Sequence, residues 1–247
     1  MIMERLPSIS IVVPAYNEER RLPATLASIL EYLGARDWSQ WEILVVNDGS
    51  CDATAAVAAR FAAEQPSIRV LENPGNRGKG YSVRHGMMEA ACDWVLFTDS
   101  DLSAPIEELD KLMAAAREQA ASVAIGSRAL DRGLIAVHQS RFRETAGRIF
   151  NLLMRAATSL PFADTQCGFK LFERAVTREV FRRQSIERWG FDAEVLFIAR
   201  RLGYKTVEVP VRWSHSEGTK VSMFADSLNM FLDLLRIRWN QLAGRYR

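Results

Sequence analysis

Trp94-Val95-Leu96-Phe97-Thr98-Asp99-Ser100-Asp101 is an apolar run that passes directly into two carboxylates. Side chains alternate along an extended segment, so Asp99 and Asp101 project to the same side. A strand ending this way delivers two hard oxygen ligands to the C-terminal edge of a sheet, where open α/β proteins bind their ligands. Mg2+ and Mn2+ favour one or two such carboxylates, with substrate phosphate oxygens and water completing the shell. Taken alone, the pair also reads as an Asp-rich turn before a helix. Pro105 would open that helix, and Glu107 and Glu108 would suit its dipole. The neighbouring segments decide between the two.

Upstream, Ser8 to Val13 reads as a buried strand of β-branched residues closed by Pro14. Leu22, Leu26, Ile29, Leu30 and Leu33 then recur at helical spacing, with Gly34 at the end. Trp41 to Val46 is a second strand, followed by the turn Asn47-Asp48-Gly49-Ser50 and an Ala-rich helix from about Asp52 to Glu64. Ile68 to Leu71 is a third strand, and Asn73-Pro74-Gly75-Asn76-Arg77-Gly78-Lys79-Gly80 is a Gly-rich loop opening a helix. Downstream of the acidic pair come a helix over Ile106–Glu118 and a strand over Ser122–Gly126. Strands alternating with helices predict right-handed βαβ units, hence an α/β fold with a mostly parallel sheet covered by helices on both faces.

The second half breaks this rhythm. Residues 128–155 hold six arginines against Asp131 and Glu144, and read as a loop followed by a helix from about Glu144 to Ser159. Beyond Cys167-Gly168-Phe169-Lys170 we expect a short strand, two helices, and a strand over Lys205–Val211. A final amphipathic helix is expected from Met223 to Trp239. The expected division is one domain over 1–222, including the arginine-rich loop and helix at about 128–159, and a basic helical appendage over 223–247.

Composition narrows the function classes. The 247 residues carry a net charge of +2, which gives no global nucleic-acid footprint. Cys51, Cys92 and Cys167 lack metal-ligand spacing and suit reduced thiols in a cytoplasmic setting. No apolar stretch reaches bilayer-spanning length and no leader is expected, so membrane contact would be peripheral. His85 reads as a helix-surface residue.

The polar candidates all fall just after strands: Tyr16, Asn17 and Glu18 after the first, Asp48 after the second, Lys79 after the third, and the acidic pair after the fourth. Parallel strands bring these ends to one crevice. Asp48 and Glu18 can accept hydrogen bonds from ribose hydroxyls or a base N–H. Lys79 and a Gly-rich loop suit phosphate oxygens, and a metal at Asp101 would neutralise a diphosphate. Each residue alone has an ordinary structural reading, but their convergence describes a nucleotide-diphosphate site.

Val12-Val13-Pro14-Ala15-Tyr16-Asn17-Glu18, Val46-Asn47-Asp48-Gly49-Ser50, Asn76-Arg77-Gly78-Lys79-Gly80 and Asp99-Ser100-Asp101 resemble the successive motifs of family 2 inverting glycosyltransferases with the GT-A fold, a Rossmann-like architecture. Asp164-Thr165-Gln166-Cys167-Gly168-Phe169-Lys170-Leu171-Phe172 is similar to the branch that uses dolichyl phosphate as acceptor and glucose as sugar, with the mannose synthases as cousins. The resemblance spans about residues 8–222. It implies that Pro14, Tyr16, Asn17, Glu18, Asp48 and Gly49 hold the nucleoside with Lys79 beside it. Asp99, Ser100 and Asp101 would lie against the nucleotide sugar. Asp101, with Asp99 and Ser103, would ligate Mg2+ or Mn2+. Arg128 and Arg143 match arginines that meet sugar-phosphate and lipid-phosphate groups, and Lys220 with Ser222 matches a donor-diphosphate contact. The chemistry would rest on Asp99, Asp101, Arg128 and Lys220.

Three departures stand out. Ser214 occupies the place of an Arg found in the mannose synthases, Ser103 that of a Gln beside the metal, and the transmembrane-type helices of some relatives are absent.

The expected activity is inverting transfer of a hexose, glucose from UDP-glucose, to a polyprenyl phosphate at the cytoplasmic face of a membrane. The alternatives are a GDP-mannose donor, a glycan-hydroxyl acceptor with Asp164 or Asp192 as base, or a non-catalytic sugar-nucleotide-binding module. The absence of G-x-G-x-x-G after the first strand argues against a dinucleotide-dependent dehydrogenase. The tail carries Arg236, Arg238, Arg245 and Arg247 with no acid after Asp233, a pattern suited to an anionic membrane surface or to packing on protein.

Overall fold

The computed structural model describes residues 5–137, 154–155, 158–215 and 225–247. Arg143, Lys220, Ser222 and most of the helix expected over 144–159 lie outside the described residues. The strands β1 (Ile9–Ala15), β2 (Trp41–Asn47), β3 (Ile68–Glu72) and β4 (Trp94–Thr98) alternate with the helices α1 (Leu22–Gly34), α2 (Thr54–Glu64) and α3 (Lys79–Glu89). Then come α4 (Leu109–Glu118), β5 (Val123–Ser127), β6 (Ile135–Val137), β7 (Phe169–Glu173), α5 (Arg174–Arg183), α6 (Phe191–Arg201), β8 (Thr206–Pro210), β9 (Trp213–Ser214) and α7 (Ala225–Leu242).

Seven strands form one sheet in the order β3-β2-β1-β4-β7-β5-β8, and β6 pairs with β9 apart from it. All neighbours in the large sheet run parallel except β7, which is antiparallel to both β4 and β5. The fold is thus the expected mostly parallel α/β sheet, with one reversed strand inserted. Both faces are covered, and the strands alternate between two apolar layers. Ile9, Ile11 and Val13 of β1 pack with Leu26, Ile29, Leu109 and Leu112, while Val12 packs with Val83, Met87 and the layer built by α5 and α6.

The reversal of β7 positions the site. Thr98 pairs with Phe169 and Phe97 with Lys170. The start of β7 therefore lies beside the end of β4, and Cys167-Gly168 arrives next to Asp99.

Some boundaries differ from the periodicity; β1, expected to close at Pro14, runs through it to Ala15. The helix expected over Ile106–Glu118 begins as a single 3-10 turn, Ile106–Glu108, before α4. Glu108 turns inward there, 1% exposed, to meet Lys111 at 2.6 Å and the Arg212 guanidinium. At the other end α7 stops at Leu242 and is seated on the domain. Leu234, Ile237 and Asn240 are buried against the α6 layer, and Tyr246 folds back so that its hydroxyl donates to Glu194 at 2.6 Å.

Candidate active site

The acidic pair stands at the end of β4, and its two carboxylates are held differently. Lys79, the first residue of α3, places Nζ 2.5 Å from Asp99 Oδ1 and 5.6 Å from the centre of the Trp189 ring. Burial alone would lower the Lys79 pKa, but the carboxylates of Asp99, Asp192 and Asp101 outweigh it and hold the ammonium above its ordinary value. Behind Asp99 sits Gly168, where any Cβ would overlap the Asp99 carboxylate. Asp101 Oδ1 accepts the Ser103 N–H at 3.0 Å, and its Oδ2 lies 4.0 Å from Arg21 Nη1. Ser100 is pinned through its carbonyl, which accepts from Thr25 Oγ1 at 2.6 Å, and the Ser103 carbonyl accepts the Ser214 N–H at 2.8 Å.

These donors fit a hard divalent cation. Two carboxylates stand at the C-terminal edge of the parallel strands, neither fully buried, with Asp99 33% and Asp101 22% exposed. Among the described residues no group of three or more His, Cys, Asp or Glu is gathered to enclose a metal.

Asp48 directly follows β2 and organises the Gly-rich loop. Its Oδ1 accepts from Asn73 Nδ2 at 2.7 Å and the Arg77 N–H at 3.0 Å, and its Oδ2 accepts the Gly78 N–H at 2.8 Å. Three of its roughly four acceptor positions are thus filled by the loop itself. Gly49 follows with φ +68°, and a Cβ there would lie 2.5 Å from the backbone of Gly75, so the two turns touch only because Gly49 has no side chain.

The end of β1 is tied to the same region. Asn17, with φ +52°, takes the Cys51 N–H on Oδ1 at 2.8 Å and donates its own N–H to Ser50 Oγ at 3.0 Å. Glu18 grips Arg21 through two bonds of 2.6 and 2.7 Å. Pro14 is buried opposite Val46, and Tyr16 is half-buried beside the turn. All these sequence candidates gather at one edge, and Asp48 and Glu18 carry internal partners besides any ligand.

Across the sheet, Arg128 follows β5 and meets Asp164 in a two-point pair, Nε to Oδ2 at 2.6 Å and Nη2 to Oδ1 at 2.9 Å. The N–H groups of Arg128 and Gln166 each add a bond of 3.0 Å, so both Asp164 oxygens accept twice. Burial would raise the Asp164 pKa, but the Arg128 charge and these bonds prevail and pull it down to about 2. The guanidinium also lies 5.4 Å from the Trp213 ring centre. Burial pushes the neighbouring Cys167 thiol up to about 12, so it stays protonated.

Several partners here are not suggested by the sequence motifs. Lys170, fully buried on β7, bonds to Asp192 at the start of α6 and donates to the Cys167 carbonyl at 2.6 Å, which fixes the turn carrying Gly168. His85 is not simply a surface residue: its Nδ1 lies 2.8 Å from Asn73 Oδ1, behind Asp48. Thr25, Asn73, Trp189 and Trp213 also belong to the site. The useful hint was Lys170 itself, a lysine between Phe169 and Leu171 in a strand buried on both faces, because a buried ammonium requires an acidic partner.

The profile of Glycosyl transferase family 2 matches residues 10–181. A dolichyl-phosphate beta-glucosyltransferase of Drosophila melanogaster is 39% identical over 99% of this chain and 79% of its own length. One of Homo sapiens is 36% identical over 99% and 81%. Among solved structures, glucosyl-3-phosphoglycerate synthase from Mycobacterium tuberculosis in complex with UDP superposes with a TM-score of 0.66 at 21% identity, covering 94% of this chain and 80% of that one. The same synthase with Mn2+, UDP and glucosyl-3-phosphoglycerate gives a TM-score of 0.65. The described sheet is thus a GT-A fold. With the profile covering most of the chain and relatives aligned along nearly all of it, the chain belongs to glycosyl transferase family 2 and is a glycosyltransferase.

Proposed function

We propose that the protein transfers glucose from UDP-glucose to a polyprenyl phosphate of the dolichyl type, with inversion and with a divalent cation, as a peripheral enzyme on the cytoplasmic side of a membrane. The names of the relatives support the acceptor and the sugar. The UDP, Mn2+ and Mg2+ complexes of the structural neighbours support the nucleotide and the cation. Three free cysteines, Cys51, Cys92 and Cys167, are in keeping with a reducing compartment.

The observation that carries this reading is the state of the carboxylates around the acidic pair. A hydroxyl acceptor needs a base positioned to take its proton. Asp164 accepts four hydrogen bonds and is held near about 2, Asp192 is bound to Lys170, and Glu18 is bound to Arg21. None of the three is poised as that base. A phosphate monoester, with a second pKa of about 6, is already largely a dianion at neutral pH and needs none.

The phosphate oxygen attacks the anomeric carbon opposite the departing diphosphate, the bond to the diphosphate oxygen breaks, and the configuration inverts. Asp101 and Asp99 would hold Mg2+ or Mn2+, which supplies charge stabilisation to the leaving group. Lys79, kept charged beside Asp99, adds positive potential on the same side. By the family resemblance Lys220 would contact the donor diphosphate, and Arg128 and Arg143 would meet the acceptor phosphate. Arg143→Ala should then weaken use of the lipid phosphate by about tenfold or more, as a charge-assisted contact is lost, with UDP-glucose affinity nearly unchanged. The deciding assay supplies UDP-glucose with either a short polyprenyl phosphate or the matching polyprenol. Transfer to the phosphate alone is the expected result; transfer to the alcohol alone overturns the acceptor assignment.

A further inference from the structure

α7 has two apolar faces, and the domain uses one. Leu234, Ile237 and Asn240 turn inward and are at most 1% exposed. Phe231, Leu232, Leu235, Trp239 and Leu242 turn outward, with Trp239 67% and Leu242 82% exposed. At 3.6 residues per turn these five fall within an arc of about 100° on the side opposite the buried three. Only two other large apolar side chains among the described residues, Met88 and Leu130, are comparably exposed. The outward stripe is therefore a concentrated patch and not part of a general scatter.

The edges of the stripe identify what covers it. Arg236 and Arg238, both exposed, fall just outside the apolar arc, one on each side. The acid nearest to them, Asp233, packs inward against Gly190; burial raises its pKa to about 6 even though the Arg236 charge pulls it down. From Leu234 to Arg247 the chain has four arginines and no acid. An apolar stripe bordered by arginines whose stems can lie along it, with a tryptophan in its surface, has the pattern of a helix lying in an anionic lipid interface. A second protein copy would have to bury Arg236 and Arg238 against a matching acidic border, which α7 does not offer from its own residues 234–247. No described helix is long and apolar enough to cross a membrane, so the mode is docking on the surface.

The geometry points to the outward face of α7 as a lipid-docking surface that seats the catalytic domain on an anionic bilayer. This deepens the lipid-phosphate reading by naming the face that meets the membrane, and it is testable without that substrate. The experiment measures binding of the full-length chain to vesicles of phosphatidylcholine with and without phosphatidylglycerol, containing no polyprenyl phosphate. Leu235→Ser/Trp239→Ser should lower partitioning by about tenfold for each apolar side chain removed. Arg236→Ser/Arg238→Ser should lower it by about fivefold per charge, on anionic vesicles only, with high salt reproducing the loss. UDP-glucose binding should match the wild type in both variants, and so should thermal unfolding in Leu235→Ser/Trp239→Ser, because these side chains are exposed. Arg236 also opposes the Asp233 charge, so Arg236→Ser/Arg238→Ser is compared at equal folded fraction.

Vesicle binding unchanged in both variants would overturn the assignment. So would a wild type that is dimeric without lipid and ignores vesicles, with Leu235→Ser/Trp239→Ser monomeric; the stripe would then cover a second copy. An enzyme that fails to glycosylate polyprenyl phosphate yet loses vesicle binding in these variants would refute the acceptor reading and still support the docking face.

Discussion

At the end of β4, Lys79 meets Asp99 through one nitrogen and one oxygen, 2.5 Å apart, while the bare backbone of Gly168 lies against that carboxylate. After β5, Arg128 meets Asp164 through two parallel bonds of 2.6 and 2.9 Å, and two backbone amides fill the remaining acceptor positions. Both are ion pairs at one sheet edge. A point-like ammonium can leave one oxygen when a better cation or a phosphate arrives, whereas a forked guanidinium locked into a saturated carboxylate holds its geometry. The first pair is exchangeable and suits changing charge. The second fixes the segment around 164 relative to β5, and with it the wall beside the acidic pair.

If the acidic pair is the exchangeable side, the largest effect should come from removing its charge. Asp101→Asn should fold normally and lose about 10²–10³-fold or more in transfer rate, because a neutral amide is a poor ligand for a hard cation. Steady-state rates across a Mn2+ titration check this. A near-normal rate with no metal requirement would move Asp101 out of the chemistry.

The saturated pair should answer in stability instead. Asp164→Asn leaves a largely buried guanidinium facing an amide and should cost about 3 kcal/mol in chemical denaturation. The pH profile gives a second signature. The folded-state pKa of Asp164, about 2, lies below the ordinary 3.8, so the unfolded chain binds more protons between those values. Its contribution should be complete above about pH 4 and disappear as the pH falls towards 2. That acid-dependent step should be missing in Asp164→Asn. An equal step in both proteins would mean that other carboxylates govern acid unfolding.

How far the sequence reaches can be judged from these same residues. β1, β2 and β4 were legible because each is a short apolar run closed by chemistry-bearing residues, and their shared direction placed Tyr16, Asp48 and Asp99 on one edge. The reversal of β7 was not legible. Phe169 to Glu173 reads as a strand in either direction, and only the tertiary fold sets its sense. Pairings across long stretches were hidden for the same reason. Asp164 is visible as an acid, but nothing local says that its partner is Arg128, 36 residues earlier, or that Lys170 will find Asp192. The arginine-rich composition of 128–155 suggested cations for an acceptor, but not that Arg128 would also hold Asp164 through Nε and Nη2. In α7 the heptad-like spacing predicted an amphipathic helix, but only the packing of Leu234, Ile237 and Tyr246 shows which apolar face is inside. Deleting 234–247 would therefore strip the core as well as the surface, and point substitutions are the cleaner probe of the tail.

Between the two pairs stands Gly168, which separates rate from stability. Gly168→Ala places a Cβ on the Asp99 carboxylate and must push either Asp99 or the Cys167–Phe169 turn aside. Displacement of a reacting-site carboxylate by a fraction of an ångström to an ångström should slow transfer by about tenfold to a hundredfold. Lys170 and Asp192 still anchor the turn, so the unfolding midpoint should move much less than in Asp164→Asn. A comparable loss of stability with the rate unchanged would make Gly168 a folding residue only.

The smallest effect is the sharpest test of exchange itself. In Lys79→Gln the ammonium that occupies Asp99 Oδ1 is gone. If a divalent cation uses Asp99, it must compete with Lys79 in the free enzyme, so removing Lys79 should tighten Mn2+ binding in the absence of nucleotide. An ion pair that keeps partial solvent contact, as this one does, is worth about 1 kcal/mol, which corresponds to about fivefold in affinity. With UDP-glucose present the sign should reverse: the diphosphate draws on the same positive charge, so donor affinity should fall while metal affinity without donor rises. Calorimetric titration of Mn2+, with and without UDP, reads both directions on one protein. Weaker Mn2+ binding by Lys79→Gln in the absence of nucleotide would show that Lys79 and the metal do not share Asp99, and the β4 pair would then be as fixed as the pair after β5.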